Sequence, residues 1–201
     1  MAVQSNPVRA GRLLAAGLLG LASAAAQAHA EGAGGIGGGL LAGLLHPLLG
    51  LDHLVAMVAV GLWGAFLGAP AVWLLPVVFP LVMALGGVLG MAQVPLPAVE
   101  VGIAVSGMVL GLMVALAVRA PLWLAALLVG VFAVFHGHAH GAELPGAAHP
   151  LAYSLGFVVS TGALHAAGIG LAVLVRWPVG RWVVRGTGAL IALVGLAFLA
   201  A

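Results

Sequence analysis

The chain has 201 residues, of which 64% are hydrophobic and 5% charged, and its formal net charge is +2. No ordinary soluble domain exposes so apolar a surface, and six arginines without a lysine are too few and too scattered to grip nucleic acid. There is no cysteine, which excludes disulfides and thiolate ligands and leaves nitrogen and oxygen as the donors of any metal site.

Residues 1–30 read as a signal peptide. Arg9 and Arg12 form a positive n-region and Leu13 to Ala26 a short apolar core. Two small-x-small cleavage sites follow, placing the cut after Ala28 or after Ala30. The alternative is an uncleaved first helix, against which stands the shortness of the apolar run. Residues 31–201 then form a single domain of the all-α class, a polytopic membrane bundle of six transmembrane helices. Gly32 to Gly39 is a flexible lead-in to it.

The six expected spans cover about 40–67, 71–92, 98–118, 121–141, 149–175 and 182–200, each close to the roughly 20 residues that cross a hydrocarbon core. Glycine and proline punctuate the gaps, at Gly68-Ala-Pro70, Val94-Pro-Leu-Pro97, Arg119-Ala-Pro121, Leu144-Pro-Gly146 and Arg176-Trp-Pro178. Pro76 and Pro80 predict a kink in the second span. The pairs Gly86/Gly90, Gly107/Gly111 and Gly137/Gly141 have the spacing that lets helices approach closely in lipid. Counting spans from an external N-terminus, Arg119, Arg176, Arg181 and Arg185 fall on the cytoplasmic side, while Glu31, Glu100 and Glu143 fall on or near the outer side. The chain is therefore expected in the bacterial inner membrane, with the mature N-terminus and the C-terminus both periplasmic. The two polar motifs fall in the first and fourth spans, so the bundle divides into two three-helix halves of opposite orientation, as in many transporters.

An aspartate near the bilayer centre costs roughly 2.5–3.5 kcal/mol on insertion scales, so a histidine and carboxylate motif inside a span calls for a purpose. In the fourth span His136, His140 and Glu143 lie within about 60° on one helix face, whereas His138 points nearly the opposite way unless Gly137 or Gly141 loosens the helix. Histidines at i and i+4 can hold one ion, and Glu143 can add an oxygen or orient an imidazole. The competing reading is a cluster of interfacial histidines satisfied by hydrogen bonds. In the first span His46 and His53 share a face but stand about 10 Å apart on a straight helix, with Asp52 some 120° away. No one ion touches all three unless the helix unwinds, and Pro47 and Gly50 make that plausible. Glu100 and His165 are secondary candidates to complete or line a path, or else structural polar groups. No phosphate loop or dinucleotide fingerprint is present, which excludes an ATP-driven pump in this chain alone.

At these residues the chain resembles the HupE/UreJ family of bacterial membrane proteins. The resemblance rests on His46-Pro47, Gly50 and Asp52-His53, on Phe135-His-Gly-His-Ala-His-Gly-Ala-Glu-Leu-Pro145, on Pro97-Ala-Val-Glu100 with Gly102-Ile-Ala, and on Leu164-His165-Ala-Ala-Gly168. A second family, the nickel/cobalt transporters, carries a similar histidine–aspartate–histidine signature with one fewer intervening residue, from which this chain departs. The HupE/UreJ resemblance implies a nickel or cobalt permease serving hydrogenase or urease. The expectation is thus a secondary transporter of Ni²⁺, with Co²⁺ as the alternative ion, moving it from periplasm to cytoplasm. It has no prosthetic group and is not an enzyme. His46, Asp52, His53, His136, His138, His140 and Glu143 would form or support its metal site. Its partners would be the lipid bilayer, the divalent ion and nickel-enzyme maturation factors, with self-association left open and nucleic acid excluded. A membrane metalloenzyme and a metal-binding accessory protein use the same ligands and stand as alternatives.

Overall fold

The computed structural model describes residues 35–142, 144 and 149–201; the expected signal peptide and Glu143 lie outside them. Seven α-helices make up the described residues: α1 Gly35–Leu49, α2 Leu51–Leu67, α3 Ala71–Met91, α4 Val99–Ala115, α5 Leu122–Ala142, α6 Pro150–Ala172 and α7 Pro178–Leu199. A single 3₁₀ turn, Val173–Arg176, joins the last two, and no strand occurs among the described residues.

The expected first span is broken. Its two helices meet at Gly50 and bend by 79°. Gly50 is extended, at φ −78° and ψ 103°, and ends one helix while opening the next. Four helical stretches are long and apolar enough to cross a membrane: Ala71–Met91, Leu122–Ala142, Pro150–Arg176 and Pro178–Leu199. The bent pair adds a fifth span if taken as one, and α4 is apolar but only 17 residues long. The last helix starts at Pro178 rather than near 182, because proline's fixed φ and missing N–H suit the first helical turn.

Large apolar side chains face outward all round the bundle, among them Trp73, Leu85, Trp123, Leu151, Leu190 and Leu196. In water such a surface would aggregate; in hydrocarbon it costs nothing, and the chain is a multi-pass membrane protein. The core holds Met57, Leu62, Trp63, Leu75, Phe79 and Leu110 with essentially no exposure. Helices α3 and α5 meet through the predicted glycines. A Cβ on Gly86 would land on the Val134 carbonyl, and one on Gly137 on the Met83 carbonyl. Contact this close is the dispersion-driven packing that holds helices together where lipid removes the hydrophobic drive.

The helix directions sort the polar groups to two ends. The start of α2, the end of α5 and the start of α6 share one end and carry the histidine motifs. Arg119, Arg176, Arg181 and Arg185 lie at or near the other. There Arg119 stacks over Phe66, and the Arg185 Nε–H donates to the Ala115 carbonyl at 2.7 Å.

Candidate metal centre

The bend at Gly50 solves the spacing problem of the first span. On one straight helix the two histidines would stand far apart, but across the bend the His46 and His53 ring centroids are 5.9 Å apart. The motif of the expected fourth span meets them from α5: His53 lies 4.8 Å from His136 and 4.5 Å from His140, and His46 lies 4.7 Å from His140. Three helices thus bring four imidazoles into one cluster. Phe157 and Tyr153 on α6 and Phe79 on α3 form its walls.

The break also accounts for Asp52. It puts the aspartate in the first turn of α2, where free backbone N–H groups and the positive end of the helix dipole favour a carboxylate. Its Oδ1 accepts the His53 backbone N–H at 2.9 Å and the His53 Nδ1–H at 2.8 Å. With Nδ1 donating, the lone pair of His53 is on Nε2, which is buried and has no hydrogen-bond partner. A carboxylate behind a ligating imidazole fixes its tautomer and raises its basicity in many metal sites.

His136 is locked in the opposite tautomer. The Ser106 hydroxyl donates to the Ile103 carbonyl at 2.6 Å, so its oxygen accepts from His136 Nε2–H at 2.8 Å. The lone pair therefore sits on Nδ1, buried and unpartnered. His140 is buried with neither ring nitrogen partnered. Several imidazole nitrogens desolvated without a partner form an arrangement that proteins rarely leave unexplained. Imidazole with a supporting carboxylate suits Ni, Co, Zn or Cu(II). Among the described residues no three histidine or acidic side chains are yet arranged as ligands of one ion. The rings meet mostly edge to face, so holding one ion through several of them would take side-chain rotation.

The other expected site residues lie apart. His138 projects from the opposite face of α5 and is hydrogen-bonded through Nε2 to the Val94 carbonyl at 2.7 Å. It is no part of the cluster, for the helix stays regular across Gly137 and Gly141. Glu100 stands exposed in the first turn of α4. His165 is buried on α6 against Phe79. Ser106 was missed as a site residue: it carries no ligand signature, and only the fold brings α4 against His136. The aromatic walls were missed for the same reason, although Tyr153 and Phe157 at i and i+4 share a face of α6.

The family described as HupE / UreJ protein matches residues 16–198 of this chain. Protein HupE from Rhizobium leguminosarum bv. viciae is 47% identical over 187 residues, which cover 93% of this chain and 94% of that protein. No solved structure matches.

Proposed function

The chain belongs to the HupE/UreJ family, associated with nickel and cobalt uptake for hydrogenase and urease, and on that premise we propose that it is a secondary transporter of Ni²⁺. The ion travels from the periplasm to the cytoplasm, with Co²⁺ as an alternative cargo. The observation that carries this reading is the cluster of His46, His53, His136 and His140, with unpartnered imidazole nitrogens inside a lipid-facing bundle. An arriving ion satisfies those nitrogens and is held by donors that can release it again. Asp52 supplies a negative charge beside His53, offsetting part of the ion's charge. The secondary candidate Glu100 belongs to the approach on the outer side, and His138 to a loop contact beside it, while Glu143 keeps its expected part in the metal site, as an oxygen ligand or a group that orients an imidazole.

The same reading takes the bent α1–α2 pair and the short α4 as spans, giving six. All four arginines near the opposite end then face the cytoplasm, and the C-terminus is periplasmic. Residues 1–30 are removed as a signal peptide. The cluster lies toward the periplasmic end and is loaded from there.

Uptake of radioactive nickel by purified protein in sealed lipid vesicles tests the proposal. A transporter equilibrates the ion across the membrane, whereas an accessory protein binds it stoichiometrically and leaves the vesicle interior empty. The second result would overturn the transport reading.

A further inference from the structure

A second group of buried polar atoms lies deeper in the bundle. His165 is 1% exposed and neither of its ring nitrogens has a hydrogen-bond partner. One turn earlier on the same face of α6, the Thr161 hydroxyl is fully buried and also unpartnered, as is that of Ser160 beside it. Buried helical hydroxyls ordinarily bond back to a carbonyl of the preceding turn. Ser106 and Thr187 do so here, while Ser160 and Thr161 do not.

The third component comes from α3. Pro80 has no N–H and cannot close the helical bond to the Pro76 carbonyl, which is left for another donor or for a cation. The His165 ring packs against the turn of α3 that carries this carbonyl, its centroid 5.6 Å from that of Phe79 between the two prolines. An imidazole, a hydroxyl and a freed carbonyl are a donor set for a partly dehydrated divalent ion, and freed backbone carbonyls serve ions this way in the broken helices of transporters.

Depth along the helices separates this group from the histidine cluster. His165 is eight residues beyond Phe157, which touches His140, and it packs against Gly61, eight residues beyond His53. Both helices give a displacement of about 12 Å toward the arginine-bearing end. Phe79 links the two levels. Its ring centroid lies 5.5 Å from His136 and 5.6 Å from His165, it is fully buried, and it sits between the two prolines of α3.

We infer that His165, Thr161 and the Pro76 carbonyl form a second, inner station for the divalent cation, and that Phe79 is the gate between it and the histidine cluster. The inference rests on the transport reading. The ion leaves the cluster when the Phe79 ring swings aside, a movement made easier by the helical bonds missing at Pro76 and Pro80. It is then caught by His165 before release toward the arginine end.

The test uses purified full-length protein in lipid vesicles with Ni²⁺ as the only added metal, and the variants His165→Gln and His165→Leu. Glutamine keeps a polar donor and acceptor at the position, so it fills a structural role but removes the imidazole ligand. Leucine removes every polar atom and reports the desolvation cost. The expected result is a loss of uptake by about 10–100-fold in both, the range typical of disturbing a metal site. Nickel binding by the outer cluster in detergent should stay within about twofold, and the leucine variant should melt no lower than the parent. If leucine fails to fold, the glutamine variant carries the test alone. Parental uptake by His165→Gln would overturn the inner station and reduce His165 to a buried polar group of the scaffold. An unaltered protein that binds nickel but moves none would overturn the transport reading, and the inner station with it.

Discussion

Asp52 accepts two hydrogen bonds from the residue next to it, His53, one from the backbone and one from the imidazole. Adjacent residues on a continuing helix point about 100° apart and do not pair this way. The pairing exists because the chain breaks at Gly50 and restarts at Leu51, leaving both residues in a first turn. A Cβ on Gly50 would come within 3.2 Å of both Asp52 Oδ1 and His53 Nδ1, so glycine also leaves the pair its room.

Asp52→Asn separates charge from shape. Asparagine still accepts the His53 Nδ1–H, but the negative charge is gone. Nickel uptake should fall by about 10–100-fold, while thermal stability stays level or rises as a desolvation cost is relieved. Both are measured on one preparation. Parental uptake with unchanged stability would move Asp52 from the site to the scaffold.

Ser106→Ala removes the acceptor that holds His136 in its tautomer. A buried N–H is then unpaired, costing about 1–3 kcal/mol of stability. His136 is also free to present the wrong nitrogen, so nickel affinity should weaken as well. A melting curve with a nickel titration checks both, and a stability loss with unaltered affinity would limit Ser106 to packing.

Within the α5 motif the three histidines should differ. His136→Ala and His140→Ala each remove an unpartnered imidazole from the cluster and should abolish uptake in a folded, inserted protein. His138→Ala removes an exposed contact to Val94, worth about 0.5–1.5 kcal/mol, and should leave uptake close to parental. Equal and complete loss in all three would mean that α5 unwinds during transport.

The glycines divide in the same manner. A side chain at Gly137 runs into the Met83 backbone, so Gly137→Val should force α3 and α5 apart and cost about 1–3 kcal/mol or more. Gly170 has open space around it, and Gly170→Ala should be neutral or raise stability by about 0.4–1 kcal/mol. Melting temperatures in one detergent compare the pair.

Helical content and the opposed direction of His138 were legible in the sequence, because hydropathy and a 100° turn per residue are local properties. Gly50 was legible as a weak point, since glycine and proline mark where a helix can end. The size of the bend was not, because packing of α1 against α6 sets it; there a Cβ on Gly43 would strike the Tyr153 carbonyl. Ser106 and Phe79 were illegible as site residues for a related reason. Each owes its place to a neighbour on another helix, and a single sequence does not say which helix faces which. The spacing of His46 and His53 pointed to the break: on a straight helix it keeps the two rings apart, and the chain bends by 79° at Gly50 between them.

In the proposed transporter, nickel is held by the four-histidine cluster. X-ray absorption at the nickel edge, on purified protein loaded with one equivalent of Ni²⁺, tests it most directly. The expected result is the outer-shell scattering of several imidazoles around the ion, and loss of that signal in His136→Ala/His140→Ala. Nickel bound through oxygen alone, or an unchanged imidazole signal in the double variant, would contradict it.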